Sequence, residues 1–171
     1  MRLFVYFIIS AMLISLQTTV IPALPFLLSP YDILIPFIVY FTLFRPAIEG
    51  LTVIIIAGYA MDMLSGAPAG IYLFIYTWII LLFKKTKLYF HLRDPMLFQI
   101  VVVISILIEN MIFGLYIAFK TMSFELSFHA CQIVLVQLIW VFFTIPFIFI
   151  VFDYVFGAID RLIAGGFRKG L

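Results

Sequence analysis

Charged residues are scarce in this sequence. Asp, Glu, Lys and Arg together make up 11% of its 171 residues, whereas soluble domains average about a quarter. Hydrophobic residues make up 67%, and the mean hydropathy is +1.31. One soluble core of this length cannot bury so much apolar surface, so the composition excludes an ordinary soluble domain. It predicts an integral membrane protein.

Residues that build covalent or metal sites are also few. The single cysteine, Cys131, excludes an internal disulfide framework and a cysteine-based metal site. The two histidines, His91 and His129, show no metal-ligand spacing, and the sequence contains no P-loop, GxSxG, HExxH or triad-like pattern. The net charge of +2 gives no indication of nucleic-acid binding. We therefore predict no enzyme activity, no cofactor and no metal site.

Long apolar runs, by contrast, are abundant, and about 20 apolar residues suffice for one membrane helix. They predict an all-α integral membrane protein, a six-span transmembrane helix bundle that forms a single domain over residues 1–171. The predicted spans are residues 3–21, 31–44, 48–64, 68–83, 96–119 and 126–155, and residues 156–171 are predicted to form a cytoplasmic interfacial tail.

The second predicted span holds only fourteen residues and contains Pro36, so it is either a thin crossing or a re-entrant segment. We favour a short, kinked crossing, because the charge pattern of the loops requires one at this point. Pro146 predicts a second kink, in the sixth span.

Basic residues are distributed unequally between the two sides of the predicted bundle. If the amino terminus is inside, nine of the ten Lys and Arg residues fall in inner regions and only Lys120 falls outside. This distribution follows the positive-inside rule. It predicts a multi-pass protein with both termini in the cytoplasm.

The stretch from Gly58 to Gly70 connects the third and fourth predicted spans through a tight hairpin. Its acidic residue, Asp62, is predicted to lie in the outer leaflet, where it either caps the fourth helix or contacts a ligand in an outer pocket. As a cap, it accepts hydrogen bonds from Ser65 or from backbone amides at the start of the fourth span. Asp32, at the start of the second span, is also interpreted as a helix cap.

Glu109 and Asn110 interrupt the fifth span near the predicted bilayer centre. An ionisable group there either relays a proton or binds a cation, or it is a neutral helix-packing contact. For the packing role we expect hydrogen bonds to Asn110, to Ser105, or to Gln132 or Gln137 of the sixth span. No second carboxylate and no basic partner is expected at a comparable depth, which favours the packing role.

Three motifs in a fixed order resemble the rod shape-determining protein MreD family. The first is Leu16-Gln17-Thr18-Thr19, and the second is Pro30-Tyr31-Asp32-Ile33-Leu34, in which Tyr31 separates the proline from the acidic residue. The third begins as Arg45-Pro46-x-x-Glu49-Gly50 and continues as Gly58-x-x-x-Asp62-x-x-Ser65-Gly66-x-x-x-Gly70. The resemblance covers roughly residues 13–84, and the carboxy-terminal half matches only in length and number of spans.

The resemblance implies a protein of the bacterial cytoplasmic (inner) membrane that serves the cell-elongation machinery. Its expected role is a non-catalytic scaffold or regulator of sidewall peptidoglycan synthesis. Its expected partners are the lipid bilayer and the bitopic protein MreC, and through MreC the MreB filaments, the RodA glycosyltransferase and a penicillin-binding transpeptidase. The candidate structural or interface residues are Asp32, Arg45, Gly50, Gly58, Asp62, Ser65, Gly66, Gly70, Glu109 and Asn110.

The alternative function is the substrate-binding S component of an energy-coupling-factor vitamin importer, because MreD-like proteins resemble that fold. Asp62 and Ser65 are then expected to line an outward vitamin pocket, and Ala11-x-x-x-Ser15 to dock the coupling subunit. The short, apolar outer loops offer few polar groups to fix a vitamin, which disfavours this function. A proton-coupled channel or carrier is a third candidate and depends on Glu109 alone.

Overall fold

The computed structural model describes residues 2–20, 32–84, 95–121 and 128–168. These residues form six α-helices and no β-strand, which confirms the predicted all-helical class. The helices are α1 (Arg2–Ser15), α2 (Leu34–Phe44), α3 (Ala47–Leu64), α4 (Ile71–Phe83), α5 (Pro95–Thr121) and α6 (Phe128–Arg168), and α1 continues as a π-helical segment over Leu16–Val20. Residues 21–31, 85–94, 122–127 and 169–171 lie outside the described residues. They include parts of the predicted connections and tail, the ends of three predicted spans at residues 21, 31 and 126–127, and Pro30 and Tyr31 of the second motif.

The shortest of these helices, α2, lies at the centre of the bundle. Every side chain from Leu34 to Leu43 is buried, and α2 packs against each of the other five helices. This enclosure is stable because α2 is apolar around almost its whole circumference. Its 11 residues extend about 16 Å, roughly half the thickness of a hydrocarbon core. One end of α2 therefore lies deep inside the bundle.

Pro36 occupies the first turn of α2 rather than a helix interior, so the kink predicted for this segment is wrong. It is the third residue of the helix. The backbone N–H groups of a first turn have no carbonyl partner within their own helix. The N–H that proline lacks therefore costs α2 no hydrogen bond.

Helix α6 continues without interruption through Pro146. Proline cannot donate to the carbonyl four residues earlier, which leaves the Phe142 carbonyl without its helical partner. The Gln99 side chain on α5 donates to that carbonyl at 3.4 Å, so Pro146 creates a polar contact between α5 and α6.

The helix also continues to Arg168, so the tail predicted from residue 156 extends α6 and is not a separate segment.

Helices α3 and α4 approach each other closely, and this contact requires glycine at position 58. A Cβ atom on Gly58 would lie only 2.9 Å from the Leu73 Cα atom. Gly50, two turns earlier, leaves room for an ordinary contact with α4. The turn that joins the two helices places Gly66 and Gly70 at φ angles of 69° and 93°, a left-handed region that favours glycine.

Aromatic contacts identify which segments share each end of the bundle. At one end, the start of α1 meets the end of α2 and the later part of α6: the ring centroid of Tyr6 lies 4.8 Å from that of Phe41 and 5.9 Å from that of Phe156. At the opposite end, Tyr72 at the start of α4 packs on Phe113 of α5, with centroids 5.4 Å apart. The α3–α4 hairpin and the second half of α5 therefore lie together.

Large apolar side chains cover the outer faces of α5 and α6. The stretches Pro95–Thr121 and Cys131–Arg161 are long and apolar enough to cross a membrane. Only 28% and 17% of their most apolar 18-residue parts are buried inside the bundle. Exposed side chains on these faces include Met111, Ile117, Phe143, Phe147 and Ile150. These apolar helices fit a membrane protein.

Gly58→Ala is expected to lower the free energy of unfolding by about 1–3 kcal/mol, because the added methyl group forces α3 away from Leu73. Gly114→Ala on α5 is the matched control: a Cβ there meets no atom within 4 Å, and alanine favours a helix interior by about 0.5–1 kcal/mol over glycine. Thermal unfolding of both variants in the same detergent measures the difference. Equal stability of the two variants would contradict the close α3–α4 contact.

Candidate functional site

Few polar side chains are buried among the described residues. They are Ser10, Asp32, Thr42, Ser105 and Glu109. The three hydroxyl groups each donate to the backbone carbonyl four residues earlier, at distances of 2.7 to 2.8 Å. Their hydrogen-bonding capacity is therefore used within their own helices. The two carboxyl groups are the members of this set that connect different elements.

Asp32 lies just before α2 and accepts hydrogen bonds from several directions. Its Oδ1 atom accepts the Leu34 N–H at 2.8 Å, as a helix cap does. Its Oδ2 atom accepts the hydroxyl of Tyr76 on α4, and the side chain of Gln17 in the π-helical segment also hydrogen-bonds this carboxyl group. The amino end of α2 adds a favourable dipole for a negative charge. Asp32 thus joins the end of α1, the start of α2 and α4.

Glu109 of α5 interacts electrostatically with Asp32. Its side chain is only 8% exposed, no described residue forms a hydrogen bond with it, and Tyr72 and Tyr76 on α4 also interact with it. The expectation that no second carboxylate lies near Glu109 is therefore wrong. The physical reason is the length of α2: a helix of about 16 Å places its first residues inside the bundle and not at a membrane surface.

Asn110 makes the contact with the sixth helix that was predicted for Glu109. Its Nδ2 atom donates to the Ile106 carbonyl at 2.8 Å and to Gln137 Oε1 on α6 at 2.9 Å. Consecutive residues lie about 100° apart around a helix. Asn110 therefore faces α6, while Glu109 faces α2 and α4.

The hairpin carboxylate connects the end of α3 to the start of α4. Asp62 Oδ1 accepts the Tyr72 N–H at 2.9 Å, which is the backbone contact that the cap interpretation predicts. Ser65 Oγ accepts the Ala67 N–H at 3.3 Å within the turn. Both motif residues are thus engaged in local backbone contacts that fix the hairpin.

At the other end of the bundle, Arg45 binds α6. Its Nη1 atom donates to both carboxylate oxygens of Asp160, at 3.1 and 2.8 Å, and its guanidinium carbon lies 5.3 Å from the centroid of the Phe156 ring. Arg45 belongs to the third sequence motif, and the sequence predicted no partner for it. No local pattern predicts an ion pair whose members are 115 residues apart.

The chemistry of this arrangement is hydrogen bonding and charge pairing between helices. Asp32, the Tyr76 hydroxyl and the Gln17 amide meet in the interior, where Glu109 is also buried, and an arginine–aspartate pair lies at one end. Within the part of the chain that the structure describes, no group of three or more His, Cys, Asp or Glu side chains could hold a metal ion.

These features define a helical membrane protein in which buried and half-buried polar side chains join the helices. A sequence model of the family described as rod shape-determining protein MreD matches residues 1–156. The chain belongs to this family, which acts in rod shape determination. The match includes α5 and most of α6, where the sequence contains none of the three motifs. No curated protein and no solved structure matches the chain.

Removal of either member of the Arg45–Asp160 pair is expected to weaken the attachment of α6 to the α2–α3 turn. We expect a double-mutant cycle of Arg45→Ala and Asp160→Ala to give a coupling energy of about 1 kcal/mol, since the pair is partly exposed. Arg161→Ala is the matched control, because the exposed Arg161 side chain bonds to the Gly157 carbonyl of its own helix. A coupling energy of zero in thermal unfolding would contradict the role of the pair.

Asp62→Ala is expected to cost about 1 kcal/mol of stability, because the Tyr72 N–H loses its acceptor. Asp62→Asn keeps an Oδ1 acceptor and is expected to lose less. Hydrogen exchange at the Tyr72 amide gives the local measurement, with faster exchange expected in the alanine variant only. Equal exchange in all three proteins would show that the carboxylate does not cap α4.

Proposed function

We propose that this chain is a non-catalytic membrane scaffold of the bacterial cell-elongation machinery. The observation that carries the proposal is membership of the rod shape-determining protein MreD family over residues 1–156. In this proposal the chain binds an MreC-like bitopic protein directly. Through that partner it acts with MreB filaments, RodA and a penicillin-binding transpeptidase to support sidewall peptidoglycan synthesis.

Partner binding through helix faces is supported by where the polar groups lie. The buried hydroxyls of Ser10, Thr42, Ser105 and Tyr76 bond to groups of the bundle itself, as does Asp32. The outer faces of α5 and α6 are apolar and mostly unburied. A bitopic partner offers one apolar helix, which packs on a surface of this chemistry by close van der Waals contact.

We propose that the chain is a multi-pass protein of the inner membrane with both termini in the cytoplasm. The end of the bundle where α1 begins also holds Arg45 and its partner Asp160. The opposite end holds the α3–α4 hairpin and, at the end of α5, Lys120. This grouping agrees with the positive-inside distribution, in which Lys120 alone falls outside.

The vitamin-importer alternative has weaker support. A vitamin site at the hairpin needs polar groups directed at a ligand, but Asp62 accepts the Tyr72 N–H and Ser65 accepts the Ala67 N–H. Ala11 and Ser15 are exposed on α1. That exposure suits any helical partner and does not favour a coupling subunit.

Affinity purification of the tagged chain from gently solubilised native membranes tests the proposal. We expect an MreC-like bitopic protein to be recovered together with cell-wall synthases, and a strain that lacks the chain to lose its rod shape. Recovery of ATPase subunits and a coupling membrane protein instead would contradict the scaffold and support the importer.

Single-cysteine crosslinking then locates the partner on the bundle. With Cys131→Ser as the background, a cysteine at the exposed positions Ile117 or Phe147 is expected to crosslink to the MreC-like protein. A cysteine at Val141, which is fully buried on α6, is the matched control and is expected to give no crosslink. A partner that crosslinks equally to exposed and buried positions would contradict binding through the outer faces.

A further inference from the structure

One face of α6 changes its chemistry along the helix, near the end where α6 meets the α2–α3 turn. Ile150, Tyr154, Gly157 and Arg161 follow one another at intervals of four, three and four residues, which places them on the same side of the helix. Ile150 is 64% exposed, Tyr154 is 72% exposed, and Arg161 is also exposed. We call these four residues the α6 stripe. It changes from aliphatic to aromatic to basic over about 16 Å.

The order of side chains in the α6 stripe matches the layers of one lipid leaflet. Aliphatic side chains suit the hydrocarbon, tyrosine is enriched at the membrane–water interface, and arginine binds phosphate groups. A hydrocarbon core is about 30 Å thick, so one leaflet contributes about 15 Å. That thickness is close to the distance along α6 between Ile150 and Arg161. When Arg161 lies at the level of the headgroups, Ile150 therefore lies within the hydrocarbon.

Gly157 leaves open space in the middle of the α6 stripe. A Cβ atom on Gly157 would meet no atom within 4 Å. Arg161 Nε donates to the Gly157 carbonyl at 3.1 Å, so the guanidinium group folds back by one turn towards this space. The bond uses Nε and leaves the two Nη groups, a pair of donors that matches two oxygens of a phosphate group. The missing side chain at Gly157 gives a phosphate room to reach them.

Nearby carboxylates do not neutralise Arg161. Its neighbour in the chain, Asp160, is bound through both oxygens by Arg45. Asp153 lies eight positions before Arg161, about 12 Å along α6. Among the described residues, Arg161 bonds to a backbone carbonyl and forms no ion pair. Its positive charge therefore favours an anionic ligand over a neutral one.

We propose that the α6 stripe binds one anionic phospholipid of the phosphatidylglycerol class, with the phosphate on the Arg161 guanidinium and the acyl chains along Tyr154 and Ile150. The open space at Gly157 admits the phosphate. In the orientation proposed above, this lipid belongs to the cytoplasmic leaflet. The site goes beyond the scaffold function and does not require a protein partner.

Native mass spectrometry of the full chain, released from detergent with dioleoyl-phosphatidylglycerol or dioleoyl-phosphatidylcholine added, tests the site. We expect the wild type to retain the anionic lipid about fivefold better, the factor that corresponds to one basic residue near an anionic surface. Arg161→Gln is expected to remove this preference. Lys84→Gln is the matched control, because it removes another exposed positive charge, at the end of α4, and is expected to keep the preference.

Gly157→Leu tests the position of the phosphate without changing any charge. The larger side chain fills the open space, so this variant is also expected to lose the preference for the anionic lipid. Gly114→Leu on α5 is its control, because a Cβ there likewise meets no atom within 4 Å. Thermal unfolding in lipid-free detergent verifies that each variant is folded.

Equal retention of the two lipids by the wild type would overturn the proposal. Equal losses of preference in Arg161→Gln and Lys84→Gln would show a diffuse charge effect and would overturn the site. An unchanged preference in Gly157→Leu would overturn the placement of the phosphate at Gly157. Because these measurements contain no protein partner, their failure is distinct from a failure of the scaffold function, which copurification tests.

Discussion

The structure depends on the complete enclosure of one short helix, α2, by the five others. The N–H groups at the amino end of this helix lie inside the bundle, where they need a protein acceptor, and the carboxyl end lies at one end of the bundle. Asp32 supplies a hydrogen-bond acceptor at the amino end, and Arg45 supplies a positive charge at the carboxyl end. Each residue also binds a second helix: Asp32 binds α4 through Tyr76, and Arg45 binds α6 through Asp160. The same two residues therefore stabilise α2 and fix the helices around it.

The length of α2 determines the chemistry of the interior. A helix that spanned the hydrocarbon core would carry Asp32 to a membrane surface, where water solvates a carboxylate. Because α2 extends only about 16 Å, Asp32 lies inside the bundle, and there it interacts with Glu109 of α5. The polar contacts are thus concentrated within the bundle, while α5 and α6 present apolar outer faces. This division suits a protein that acts on partners through its membrane-facing surface.

The sequence predicts those features whose cause is local. Composition alone indicates an all-helical membrane protein, and the spacing of Gly58, Asp62 and Gly70 identifies a hairpin whose glycines have positive φ or close contacts and whose aspartate caps α4. The depth of Asp32 could not be predicted, because in uniformly apolar helices no hydrophobic period distinguishes an enclosed helix from one that faces lipid. The pairs Asp32–Glu109 and Arg45–Asp160 join residues far apart in sequence. Both pairs result from the way α2 packs inside the bundle. The hydropathy of the sequence does not predict that packing.

Labelling of the native chain in membranes by a lipid-soluble carbene reagent, read by mass spectrometry, tests the enclosure of α2 most directly. The reagent modifies side chains that face lipid and requires no substitution in the core. We expect heavy labelling of α5 and α6, whose outer faces are exposed, and little or none between Leu34 and Leu43. Labelling of α2 at the level of α5 and α6 would show that α2 faces lipid and would contradict its enclosure by the other helices.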